Sequence, residues 1–245
     1  MGDGILMSAI ECGDEPYLLA RKNPACPVLV AKKRRHAMQQ LEQSKQVDLI
    51  ILDDGFQHRA VERDVDLVLL DAAAPLGNGR PLPAGTLREL PGALKRADLL
   101  LMTRATTQNH QYFMGFEVFE SSHQLAVTAI SLDGESIPVS QLLSLKCFAF
   151  AGIADPENFF SSLLKVGCNL KNQLPFADHI TYQSQILNQI NHAASGMDAL
   201  ITTEKDAVKL SADMFELPCY QIAMEIKINH SKDFFDRLTR NLWSE

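Results

Sequence analysis

The chain has 245 residues, 46% hydrophobic and 22% charged, the balance of a globular protein and not of a disordered or fibrous one. Its 23 Lys and Arg against 30 Asp and Glu give a net charge of -7, with no long basic run, which argues against a nucleic-acid partner because phosphate affinity needs clustered cations. A small anionic substrate needs only a local cationic cleft and stays open.

The first residues, Met-Gly-Asp-Gly-Ile-Leu-Met-Ser, lack the basic and apolar regions of a signal peptide, and position 6 lacks the Ser or Thr that myristoylation of Gly2 requires. No apolar run reaches the ~20 residues of a membrane helix. Five cysteines, odd in number and never spaced C-x-x-C, read as reduced residues of a cytoplasmic protein.

The elements then follow in order. Glu11-Cys-Gly-Asp14-Glu15-Pro16 precedes an amphipathic helix over 14–22, and Asp14 reads either as its cap or as a functional acid. An apolar strand over 27–31 ends in the basic run Lys32–Arg35, the solvated start of a helix over 34–45 or a cationic wall. A second apolar strand over 47–52 stops abruptly at Asp53-Asp54-Gly55-Phe56-Gln57-His58. Carboxylates at the end of a buried strand suit Mg²⁺, which takes one or two of them together with substrate phosphates. This is the Walker-B pattern. Asp71 also ends a strand, 65–71, but has no companion acid and reads as a turn residue.

Gly77-Asn-Gly-Arg80-Pro-Leu-Pro-Ala-Gly85-Thr-Leu-Arg88-Glu89 forms a shaped loop before a helix over 86–96. Free backbone N–H groups, the helix N-terminus and the two arginines would suit an anion. Strands over 98–103, 126–131, 146–151, 198–203 and 219–224 alternate with helices over 155–166, 184–195, 204–212 and 231–243. Near-continuous apolar strands between helices argue for a mainly parallel α/β sheet covered on both faces. A polar stretch over 104–125 divides the chain into lobes 1–120 and 121–245. In the second lobe, Asp178-His179 lies in a loop where the imidazole could serve as a base. Thr202-Thr203-Glu204-Lys205-Asp206 reads as a helix cap, with Lys205 a secondary candidate for a phosphate.

Taken together, GDEP at 13–16, LDDGFQHR at 52–59, GNGR and LPAG within 77–85, LRE at 87–89, AFAG at 149–152, PFADH at 175–179 and TEKDAVK at 203–209 resemble the tetraacyldisaccharide 4'-kinase family, the lipid A 4'-kinases. The resemblance implies a P-loop-kinase-like α/β fold in two lobes. It implies transfer of the ATP γ-phosphate to the 4'-hydroxyl of a tetraacyldisaccharide 1-phosphate, with Mg²⁺. The place implied is the cytoplasmic face of the Gram-negative inner membrane, reached by peripheral association. By the same resemblance, Asp14 and His179 are the catalytic pair. Asp53 and Asp54 are the Walker-B acids near Mg²⁺ and ATP. Gln57, His58 and Glu89 lie on the cofactor side, and Arg34 and Arg88 on the substrate side.

No G-x-x-x-x-G-K-[ST] occurs in the sequence. In the family that phosphate cradle and a membrane-contacting segment precede GDEP. The chain is therefore expected to be N-terminally truncated and to have little or no kinase activity alone. Two other classes are weighed: a non-catalytic fragment that binds lipid or a partner, and a metal-dependent hydrolase using Asp53, Asp54 and His179 with His58 or His110.

Overall fold

The computed structural model describes residues 4–44, 47–105, 112–240 and 242. Gly2, the stretch 106–111 with His110, and residues 45, 241 and 243 of the expected helices lie outside the described residues. In chain order the elements are α1 (Ala9–Cys12), α2 (Asp14–Lys22), α3 (Arg34–Ser44), β1 (Leu67–Asp71), a 3-10 turn (Pro91–Arg96), β2 (Leu99–Thr103), β3 (Tyr112–Phe113), β4 (Phe116–Ser131), β5 (Ser136–Pro138), α4 (Val139–Leu142), β6 (Cys147–Ala151), α5 (Pro156–Lys165), β7 (Leu170–Pro175), α6 (Ser184–Ala193), β8 (Ala199–Thr203), α7 (Glu204–Ala207), a second 3-10 turn (Ala212–Met214), β9 (Cys219–Ile228) and α8 (Ser231–Thr239).

These elements form two compact units that are not consecutive in the chain. Residues 1–32 and 124–225 make one, and residues 33–123 and 226–245 the other. The chain crosses at 123/124 within β4 and at 225/226 within β9. The division expected at 120 falls beside the first of these crossings, but Met1–Lys32 groups with the later unit.

In the first unit β6 lies between β7 and β8, and β9 pairs with β8, all parallel; β5 is antiparallel to the second half of β4. Alternation explains why β6 and residues 199–201 of β8 are apolar. Cys147, Ala149, Ala151, Ala199 and Ile201 pack on Phe159, Phe160 and Leu163 of α5. Phe148, Phe150 and Leu200 face the other way, onto Ile190 of α6, Ala194 and Tyr182. Both faces of these stretches are dry, and the polar residues of β8, the buried Thr202 and Thr203, come only at its end. Asp155 caps α5 by accepting the Asn158 N–H at 3.3 Å, with Pro156 in the first helical position. All five cysteines belong to this unit; Cys147, Cys168 and Cys219 are buried, Cys12 is half-buried and Cys26 exposed.

In the second unit β1, β2 and the first half of β4 are parallel neighbours, with β3 antiparallel to β4. Leu100 and Met102 pack with Leu94 and Phe56 on one face, Leu99 and Leu101 with Phe234 of α8 on the other. Each unit is thus a small sheet with a core on either side, and the mainly parallel α/β class holds. Among the described residues, no helix is long and apolar enough to cross a membrane.

Three expectations are corrected. Residues 27–31 and 47–52 are not strands: Val30 is 55% and Ile51 84% exposed, and neither segment is paired in a ladder. An apolar run becomes a strand only where a neighbour satisfies its backbone. No α-helix spans 86–96, because Leu90 precedes a proline and is held extended (φ -62°, ψ 149°), so only the 3-10 turn follows. The expected helix over 204–212 stops at Ala207.

Candidate functional site

The first unit brings Asp14 and His179 together. Gly13, at φ 96°, serves as the N-cap of α2, and Asp14 is the first helical residue. Its side chain is turned inward, with 10% of its surface exposed. His179 sits in the loop after β7 with left-handed backbone (φ 59°), a conformation uncommon outside glycine, and its N–H donates to Asp178 Oδ1 at 3.0 Å. That turn aims the ring back at Asp14: Nδ1 lies 3.2 Å from both Oδ1 and Oδ2. Nε2 stands 3.6 Å from Asp178 Oδ2, and 58% of the imidazole side chain is exposed.

Two lysines and the His179 imidazole surround the Asp14 carboxylate. Burial raises its pKa, but Lys205, Lys209 and His179 outweigh that and hold it below the ordinary 3.8. Lys205 Nζ donates to Glu15 Oε1 at 2.8 Å and to Asp178 Oδ1 at 3.1 Å, so α2, α7 and the histidine loop are tied together beside the pair. Thr203 caps α7 by accepting the Asp206 N–H at 3.1 Å. The cap reading of that segment holds, while Lys205, weighed for a phosphate, is held by the carboxylates of Glu15 and Asp178.

The second unit gathers Arg34, Asp53, Asp54 and Arg88. Arg34 donates to the carbonyls of Asp53 at 2.6 Å and Asp54 at 3.0 Å, holding the chain where it turns. Asp54 is left-handed (φ 51°), and a Cβ on the buried Gly55 would stand 2.9 Å from Leu52 Cβ. The turn therefore needs a small residue directly after the two acids. Arg88 Nη1 holds the Asp54 carboxylate at 2.5 and 2.7 Å, where the sequence suggested a phosphate. Gln57 is exposed and His58 half-buried, and the His58 N–H closes the turn on Gly55 O at 2.8 Å. Glu89 pairs with Arg96 at 2.8 Å, which stacks 4.4 Å over the Phe56 ring.

The glycine-rich loop is not an open anion cradle. Gly77, Gly79, Leu82, Ala84 and Gly85 all spend their N–H groups on carbonyls of the loop or the turn before it, and Arg80 N–H donates to Asn78 Oδ1. Asp71 is a turn residue, as its sequence suggested: it accepts the Ala73 N–H at 3.0 Å and pairs with Arg104.

Sequence reasoning overlooked Lys209 and Asp206. The only trace was an acid in the capped turn with a lysine three positions after it. Among the described residues no three His, Cys, Asp or Glu side chains stand together as a metal cage, and the convergence the hydrolase reading needs is absent there. Asp53 and Asp54 lie in one unit and the Asp14–His179 pair in the other.

A family described as tetraacyldisaccharide-1-P 4'-kinase (LpxK) matches residues 3–242. A tetraacyldisaccharide 4'-kinase of Syntrophotalea carbinolica is 44% identical over 230 residues, covering 92% of this chain and 63% of that protein. One of Geobacter sulfurreducens is 41% identical over 228 residues, covering 92% of this chain and 65% of that protein. The chain thus spans less than two thirds of the length of either relative. A crystal structure of LpxK from Aquifex aeolicus in complex with ATP matches with a TM-score of 0.75 at 28% identity, covering 98% of this chain and 72% of that one. The match runs through nearly every described element and through both clusters of charged residues, and the chain belongs to the tetraacyldisaccharide 4'-kinase family.

Proposed function

We propose that this chain is the part of a lipid A 4'-kinase that carries its proton-accepting pair and its Walker-B-like acids. The donor is ATP, and the acceptor is the 4'-hydroxyl of a tetraacyldisaccharide 1-phosphate. The acceptor is a lipid, so the chain works as a peripheral protein at the cytoplasmic face of the inner membrane. The observation that carries this reading is the approach of His179 Nδ1 to both Asp14 oxygens at 3.2 Å.

Phosphoryl transfer asks the protein mainly to position reactants and neutralise charge. Asp14, kept ionised by its cations, is a weak base but a strong acceptor for an Nδ1–H. That leaves the Nε2 lone pair of His179 to take the hydroxyl proton as the sugar oxygen bonds to the γ-phosphorus and ADP leaves. Asp14 then stabilises the imidazolium. The exposed ring can meet a substrate without rearranging the buried acid.

Mg²⁺, when bound, would offset the charge of the ATP phosphates. Asp53 fits as its protein carboxylate, with no side-chain partner of its own among the described residues. Asp54 is engaged by Arg88 and must exchange that partner to bind a metal. Gln57, His58 and Glu89 are assigned to the ATP side, and Arg34 and Arg88 to the anionic substrate.

The test places this chain in the Syntrophotalea carbinolica relative, in place of the matching 63% of that protein, because the sequence here holds no G-x-x-x-x-G-K-[ST]. With ATP, Mg²⁺ and tetraacyldisaccharide 1-phosphate the chimera is expected to turn over, and to lose turnover with Asp14→Asn or His179→Ala. Unchanged turnover in both variants ends the reading.

A further inference from the structure

Behind the Asp14–His179 pair lies a second layer of charge. Lys209 Nζ is 3.5 Å from Asp14 Oδ2 and 3.4 Å from Asp206 Oδ1, and 5.5 Å from the centre of the Tyr182 ring. The side chains of Lys209, Asp14 and Asp206 are 16%, 10% and 0% exposed. Asp206 cannot swing away. Its Oδ2 accepts the Gly152 N–H at 2.9 Å and the Thr203 hydroxyl at 2.8 Å. The end of β6 and the capped turn of α7 thus clamp one carboxylate from two sides.

Residue 152 is part of the clamp. A Cβ there would lie 2.3 Å from Ile180 Cγ2 and 3.0 Å from Asp206 Oδ1. Only glycine lets the backbone come close enough to donate to Asp206 while Ile180 packs beside the histidine loop.

A buried ammonium is costly unless paired, and here one ammonium is shared by two carboxylates. The groups facing Asp14 are Glu15 on its own helix, Asp178 and His179 on the histidine loop, and Lys205, Asp206 and Lys209 around α7. Lys205 is drawn toward Glu15 and Asp178. Lys209 reaches inward and ties Asp14 to a fully buried counter-charge.

We propose that Lys209, anchored by Asp206, is a positioning residue that keeps the Asp14 carboxylate ionised and turned toward His179 Nδ1. This rests on the reading of Asp14 and His179 as the proton-accepting pair. The lowered titration of Asp14 agrees with it.

The test is a ¹³C NMR titration of the Asp14 carboxyl in the chain itself, without substrate. Lys209→Met keeps the stem against Tyr182 and removes the charge, so the titration is expected to move up; Lys209→Arg restores it. Asp206→Asn keeps the shape and leaves Lys209 to Asp14 alone, so the titration moves down. An unmoved Asp14 in folded Lys209→Met overturns the proposal. Should that variant not fold, an upward or absent shift in Asp206→Asn does the same.

In the active chimera, Lys209→Met is expected to lower kcat by about 10²-fold, with the KM values for ATP and lipid held, and Lys209→Arg to recover it. A shifted titration with unchanged kcat also overturns the positioning role. A wild-type chimera without turnover counts against the kinase reading alone, since the titration is read without catalysis.

Discussion

The two charged clusters are built in opposite ways. Around Asp14 the acid and its supports are buried or nearly so and tied to a packed sheet, Asp206 to Gly152 and Thr203 and Lys209 to Asp206, with only the His179 ring open to solvent. Around Asp54 the groups sit on irregular backbone and are open to solvent, the Arg88 and Asp54 side chains being 60% and 56% exposed. Charges in the first place act at low dielectric and cannot relax away. In the second they are screened and free to change partners. On the proposed reading the difference has a purpose: a base is held in one geometry, whereas groups that would receive a nucleotide and a metal exchange their resting partners, as Asp54 would exchange Arg88.

The sharpest way to break this comparison is to remove the held pair. Asp14→Asn and His179→Ala should each cost about 10²–10⁴ in chimera turnover, the usual range for a positioned acid or base. His179→Ala should leave the unfolding midpoint of the chain nearly unchanged, since its ring is mostly exposed; a large stability loss would make it a structural residue.

The scaffold beneath the pair comes next. Phe150 is fully buried against Tyr182 and Phe215 at ring-centroid distances of 5.7 Å, and Tyr182 lies under Lys209. Phe150→Ala should cost about 3–5 kcal/mol in urea denaturation. A much smaller loss would mean that the first unit is less firmly packed than its burial implies.

Acid sharpens the contrast further. The folded pKa of Asp14 is depressed, so its contribution to stability is present above 3.8 and is lost as the pH falls through the lower folded value. Urea midpoints followed into acid should therefore fall less steeply in Asp14→Asn than in the wild type. Equal slopes would show that Asp14 has no such role.

The smallest effect belongs to the open cluster. Arg88→Gln should change stability by about 0–1 kcal/mol, and less at high salt, as exposed ion pairs do. A loss above 2 kcal/mol in urea denaturation would show that this cluster is as firmly built as the other, and the comparison would fail.

Much of this arrangement was legible in the residues. The apolar runs of β6 and β8 could only be strands buried on both faces, and Asp155-Pro156 marked the start of α5. Asp14 read locally as a cap or a functional acid and His179 as one candidate base, and only the family resemblance put the two together. The segments 27–31 and 47–52 were misread because apolarity records a wish for burial and not the presence of a pairing neighbour. β7 was missed because Leu170-Lys-Asn-Gln-Leu-Pro is a polar run, with Lys171 and Asn172 exposed. The Lys209–Asp206 tie was invisible because its meaning is tertiary: nothing local says that Gly152, 54 residues earlier, donates to Asp206.

The placement of sulfur has a practical outcome. With every thiol in one unit and Cys26 the exposed one, a maleimide dye should attach first near the end of the Met1–Lys32 segment, leaving the Asp53–Arg88 unit unlabelled. The Cys147 thiol, raised by burial to about 12, stays protonated and unreactive until the strand around it opens, so its slow modification serves as a clock for that unit alone.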